Sequence, residues 1–313
     1  MTQASLWPHP KGSCALRGVL SPVRVEDLEA QLGARFPDAV PVVTSSGRVA
    51  LVLALRHFNL TRPDTVALFP YASHCVIDAT GWVGTPVPQD HAAQARIVLH
   101  QWGVVHGDAR PANDQCVEDA VDTLCAPGTP LMPQRGRFEV WSLPKILGTL
   151  WGGVLWCRTQ EEAQSLRLAR DQGFAGFRSW VLRLAAHRFP SLHGLWRGVE
   201  LGAGRPSRLQ CGELALAIKG WDHVWRARME KEALLAPWRS LNAPAYPNRL
   251  GPVVPLPAEE KIQQMCRELG LLVGYRHIQD STGVLKRVLP VPIHQDISLE
   301  QVSELADRLR ASP

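Results

Sequence analysis

Short, continuously apolar runs alternating with helical stretches constrain this chain more than any other feature. Val40 to Val43, Val66 to Phe69, Arg96 to Leu99, Gln115 to Val117, Phe138 to Leu143 and Val154 to Cys157 read as buried strands. Ahead of the first, Val25 to Leu32 reads as a helix begun near Ser21-Pro22. Ser45-Ser46-Gly47 opens a second helix, carrying Val49, Leu51, Val52, Leu55 and Phe58, and Ser73 caps a third that runs toward Trp82. Strands apolar on both sides need cover on both, so the pattern predicts an α/β fold with a mostly parallel sheet flanked by helices. Helices are expected next over Glu161 to Asp171, Ala175 to Arg188 and Gly212 to Leu235. The proline-rich stretch APWRSLNAPAYPNRLGPVVPLP then reads as a linker. Beyond it, a helix at Glu259 to Leu269, strands at Leu271 to Tyr275 and Arg287 to Ile293, and a helix at Leu299 to Arg310 predict a small C-terminal α+β domain. The division expected is 1–240 and 241–313.

Composition excludes several classes. The seven cysteines (Cys14, Cys75, Cys116, Cys125, Cys157, Cys211 and Cys266) are odd in number and include no C-x-x-C pair. They point to reduced thiols in a cytoplasm rather than a disulfide framework or zinc site. No apolar run approaches the roughly 20 residues that span a bilayer, and MTQASLWPHPKGSC lacks the start of a signal peptide. A net charge of +5, without a long basic run, suits an anionic small molecule better than nucleic acid. The basic helix with Arg178, Arg183 and Arg188 reads as packed, with an ordinary solvated face.

Lys145 is the chief candidate for chemistry. It follows the strand Phe138 to Leu143 on a turn opened by Pro144, ahead of Gly148 and Gly152-Gly153 and a second buried strand. A surface lysine on a hairpin is the plain alternative. An amine between buried strands is also suited to attack an aldehyde.

Several segments, in order, resemble the DegT/DnrJ/EryC1/StrS family of pyridoxal-phosphate (PLP) enzymes, chiefly sugar aminotransferases. SSGRVALVLALRHF resembles the family's N-S-G-T-x-A-L helix opening, and FPYASHCVIDATGWVGTPV its proline-tyrosine turn, helix and V-G-A-x-P-V strand. IVLHQWG is similar to V-H-x-Y-G, and CVEDAVDTL to I-E-D-A-A-Q. WSLPKILGTLWGGVLWC resembles F-S-x-x-x-K-N-L-x-x-G-x-G-G, and LPVPIHQDISLEQVSELADRL the family's ending.

The resemblance implies PLP-dependent transferase fold type I, with PLP held as a Schiff base by Lys145. It assigns Asp119 to the pyridine nitrogen, and Ser46, Gly47, Arg48 and Ser142 to the phosphate. His74, or less readily Ser73, falls where the family stacks an aromatic on the ring. Asp122 stands near the ring's phenolic oxygen, where the family has Gln or His. Arg208 is the candidate for an arginine that reaches the phosphate across a homodimer. The activity implied is amino transfer from a donor such as glutamate to a keto-sugar, nucleotide-linked. Ile146 after the lysine and a glycine loop one residue short depart from the pattern. They leave open a PLP enzyme of another reaction type or a non-catalytic partner protein.

Overall fold

The computed structural model describes residues 4–69, 71–106, 115–173, 204–240, 248–280 and 284–311, with 181–182, 185–186, 189–192 and 195 between them. The basic face of the expected helix at 175–188, with Arg178, Arg183 and Arg188, lies outside the described residues.

In chain order the helices are α1 (Gly12–Val19), α2 (Val25–Arg35), α3 (Gly47–His57), α4 (His74–Gly81), α5 (Leu143–Leu147) and α6 (Gln160–Asp171). They continue with α7 (Arg208–Lys219), α8 (Trp221–Leu235), α9 (Glu260–Glu268) and α10 (Leu299–Arg310). The strands are β1 (Val40–Thr44), β2 (Thr65–Leu68), β3 (Thr85–Pro88), β4 (Ala95–Leu99), β5 (Cys116–Asp119) and β6 (Leu124–Cys125). After them come β7 (Phe138–Ser142), β8 (Gly153–Cys157), β9 (Arg249–Leu250), β10 (Val253–Pro257), β11 (Arg276–Gln279) and β12 (Leu285–Pro292).

A seven-stranded sheet, ordered β1-β8-β7-β5-β4-β2-β3, organises the larger part of the chain. β7, β5, β4, β2 and β3 pair in parallel, while β8 is antiparallel to both of its neighbours, so β1 runs with the parallel set. The alternation of side chains across β7 shows why both faces need cover. Val140 joins the apolar cluster built with α3, whereas Trp141 joins the one built with α2 and α7. On the second face Phe36 lies 5.1 Å from Trp141 and 5.4 Å from Trp156, both edge to face. α3 is buried on nearly every side, which fits its apolar run from Val49 to Leu55.

A three-stranded antiparallel sheet, β10-β12-β11, forms the C-terminal layer with α9 and α10. Its apolar cluster also takes in Leu235 from α8 and Ala4 from the start of the chain.

Several sequence expectations are corrected. The stretch read as one helix from 212 to 235 is two, α7 and α8, broken at Gly220. The turn lets Trp221 enter the aromatic cluster, where its indole N–H donates to the Cys125 carbonyl at 2.8 Å. The proline-rich linker contains β10, an edge strand, where proline's missing N–H does no harm. Leu271 to Tyr275 is not a strand, since Gly274 turns at φ 97° before β11 begins at Arg276. α1 was not expected at all.

Candidate active site

Because β1, β5 and β7 run the same way, their C-terminal ends open on one edge of the sheet, where ligands of such folds collect. Thr44 leads through Ser45 into Ser46, the N-cap of α3, whose hydroxyl accepts the Val49 N–H at 3.3 Å. Asp119 ends β5, and Ser142 ends β7 and precedes α5. Gly153, where β8 begins, presses against this corner. A Cβ there would lie 2.3 Å from the Ser46 carbonyl carbon and oxygen. Gly153→Ala is therefore expected to cost about 2–3 kcal/mol of stability and to weaken cofactor binding, checked by urea unfolding and absorbance titration. Wild-type stability in that variant would show that the α3 corner has room to move.

Lys145 sits not on a loop but in the one-turn helix α5, whose first turn contains Pro144 and which ends at Gly148 with φ 71°. Leu143, Ile146 and Leu147 are buried, leaving Lys145 half-buried at a cavity. That cavity, about 450 Å³, is also lined by Ser46, Gly47, Arg48, Asp119 and Ser142. A second of about 250 Å³ adjoins it, and both are lined by Lys145, Asp119, Val76, Val121 and Trp7.

Two adjacent acids on β5 have different surroundings. Glu118 is fully buried against His100 Nε2 at 2.6 Å and also accepts the Gly136 N–H at 2.6 Å. Among the described residues, the Asp119 side chain accepts only the Val121 N–H, at 3.2 Å. Burial raises its pKa to about 6, against the pull of the Lys145 ammonium and with a push from Asp122. Burial also raises Asp122, opposed by Lys145 and by the Trp102 N–H donated at 3.0 Å. One amine thus faces two buried carboxyls.

The structure gathers Ser46, Gly47, Arg48, Asp119, Ser142 and Lys145 around the larger cavity, and Asp122 lines the smaller one. His74 is a correction. As the first residue of α4 it is exposed and lines neither cavity, whereas Ser73, the other residue expected at this place, lines the smaller one and Val76 lines both. The first turn of the helix carries the imidazole to solvent. Arg208 is exposed in the first turn of α7, outside both cavities of its own chain. Residues that the sequence reading did not single out also line the site: Trp7, Val76, Val121, Trp151 and Arg276. For Trp7 a signal existed, since Pro8 and Pro10 rule out a helix and mark an extended arm. Among the described residues, no cluster of His, Cys, Asp or Glu could hold a metal ion, and no helix is long and apolar enough to cross a membrane.

A lysine beside a buried aspartate, with a helix N-terminus at the same end of a largely parallel sheet, is the layout of fold type I PLP enzymes. The chain belongs to the PLP-dependent aminotransferases: a family model described as "Putative PLP-dependent aminotransferase" matches residues 28–210. PLP is the cofactor of that family. No curated protein matches the chain. Its fold is similar to that of AtS13 from Actinomadura melliaura, with a TM-score of 0.68, 17% identity and coverage of 100% of both chains. The sugar aminotransferase CalS13 from Micromonospora echinospora gives 0.64 at 16% identity, over 99% of this chain and 100% of that one. A DegT DnrJ EryC1 StrS aminotransferase from Brucella abortus gives 0.62 at 13%, over 96% and 94%.

The residues present fit PLP. Among the described residues, Asp119 is a buried acid without a paired cation in hydrogen-bond contact, which suits it to a protonated ring nitrogen. Glycine at position 47 keeps the α3 N-terminus close to Ser142, whose Cβ would lie 3.1 Å from an added Cβ. The free N–H groups and dipole of such a helix start suit a phosphate.

Proposed function

We propose that this protein moves an amino group from an amino acid such as glutamate to a nucleotide-linked keto-sugar, with Lys145 as the reacting amine. The observation that carries the reading is the placement of Lys145 and Asp119 on one cavity beside the α3 N-terminus. Sugar acceptors are supported by the sequence motifs and by the described activity of CalS13, a sugar aminotransferase of similar fold. When bound, PLP supplies an electron sink for the pair left at the substrate carbon. Lys145 would hold the cofactor's aldehyde carbon through Nζ. The same amine, when free, would act through Nζ as the base for the proton on the substrate's nitrogen-bearing carbon. Asp119 keeps a proton on the ring nitrogen. Ser46, Gly47, Arg48 and Ser142 bind the phosphate, and the apolar walls Val76, Val121 and Trp151 exclude water.

The reading extends to a homodimer in which Arg208 serves the partner's site, consistent with its exposure. It also includes two domains divided near residue 240 and a cytoplasmic location, which the free state of all seven cysteines suits. Purified protein given PLP is expected to develop the visible absorbance of a lysine-bound cofactor, and glutamate is expected to bleach it. Absorbance identical to free PLP would defeat the reading. Absorbance that no amino acid bleaches would retain the cofactor and defeat transamination.

A further inference from the structure

The start of the chain is an arm laid across the site and gripped by the loop before α10. The Ser5 carbonyl accepts from His294 Nε2 at 3.1 Å, the His9 N–H donates to Asp296 at 2.6 Å, and Lys11 lies 4.0 Å from the same carboxylate. Leu6 packs on the cluster of Trp102, Ile278 and Val288. The gripping loop is itself fixed from α8. Lys231 donates to the carbonyls of His294 at 3.0 Å and Ile297 at 2.6 Å, while the buried Arg228 donates to Gln295 at 3.1 Å and to the carbonyl of Ile146, next to Lys145.

Trp7 sits between these anchors, its ring centroid 4.7 Å from Lys145 Nζ. It lines both cavities. Its indole N–H is buried and completes no hydrogen bond among the described residues, although it lies close enough to Asp122 to hold that carboxyl down. Nζ marks the point to which a substrate's nitrogen-bearing carbon must come. A ring this close to Nζ, on the wall of both cavities, must meet whatever that carbon carries. We propose that Trp7 is a specificity-determining wall of the substrate site, delivered by the arm, which meets the side chain of the amino donor, admitting one as slender as glutamate's and hindering a ring such as phenylalanine's. The proposal rests on the aminotransferase reading above.

The test is the single-turnover bleaching of PLP-loaded enzyme by L-glutamate and by L-phenylalanine. Wild type is expected to favour glutamate. Trp7→Ala is expected to raise the phenylalanine-to-glutamate ratio of rate over half-saturation by about tenfold or more, and Trp7→Phe to leave it within about threefold. Asp296→Ala, which frees the arm, is expected to shift the ratio in the same direction. PLP affinity, read by absorbance titration without substrate, is expected to change by less than about threefold in each variant. An unchanged ratio in Trp7→Ala, with wild type bleaching normally, overturns the wall alone. Lost PLP affinity with an unchanged ratio makes Trp7 a cofactor contact and overturns it as well. A wild type that never bleaches removes the parent reading and this one together.

Discussion

Lys145→Ala is expected to lose the lysine-bound cofactor absorbance and to slow the glutamate half-reaction by at least about 10⁴-fold, because one amine serves as both covalent anchor and proton carrier. Lys145→Arg separates charge from nucleophilicity, since a guanidinium stays protonated and forms no bond to the aldehyde. It should be equally inactive. The two variants should differ in stability. The ammonium of Lys145 is what pulls Asp119 and Asp122 down against burial. Without that cation both carboxyls rise further, so ionising them in the folded chain costs more. The stability lost in Lys145→Ala should therefore be small near pH 5 and larger near pH 8, while Lys145→Arg follows wild type more closely. Thermal melts of cofactor-free protein at the two pH values give the comparison. Retention of the cofactor absorbance in Lys145→Ala would place the reacting amine elsewhere.

What could be read from sequence follows from how local each determinant is. β8 announces itself, because a strand covered on both faces is apolar throughout, whereas β5 and β7 carry the buried acids Glu118, Asp119 and Glu139, and Asp119 and Ser142 are assigned by the family resemblance. The helix around Lys145 reads as a turn in the sequence because Pro144 breaks helices in their interiors. In a first turn it removes no needed hydrogen bond, and α5 starts there. α1 is disguised by glycine at both ends. Its Gly18 is required by a close crossing, since a Cβ there would lie 2.4 Å from the Glu213 nitrogen of α7. His74 was misplaced because one residue of helix phase separates a side chain facing the cavity from one facing water. Trp7 depends on contacts made 287 residues away, between His9 and Asp296, which no local pattern contains.

Asp119→Asn is expected to do two opposite things. In catalysis it removes the carboxylate that would hold the ring nitrogen protonated, and the half-reaction should slow by about 10²–10³-fold. In the cofactor-free protein it should stabilise the fold at neutral pH. The Asp119 pKa of about 6 lies above its ordinary 3.8, so the folded state holds this proton more tightly than the unfolded chain does. Its contribution to stability is greatest below pH 3.8 and is lost as pH rises through about 6, where burial then opposes the charge. At pH 7–8 that opposition amounts to about 2–3 kcal/mol. Asparagine carries no charge to bury and keeps an oxygen for the Val121 N–H that Asp119 now accepts at 3.2 Å. Cofactor-free Asp119→Asn should therefore melt several degrees above wild type at pH 8 and close to it at pH 4. A protein that gains stability by losing this acid keeps it for what the acid does to a ligand, which is the expectation for a catalytic rather than a structural carboxylate. Equal melting temperatures at pH 8 would mean that the charge of Asp119 is already compensated inside the chain, and the case for its waiting on a cationic ring nitrogen would fall.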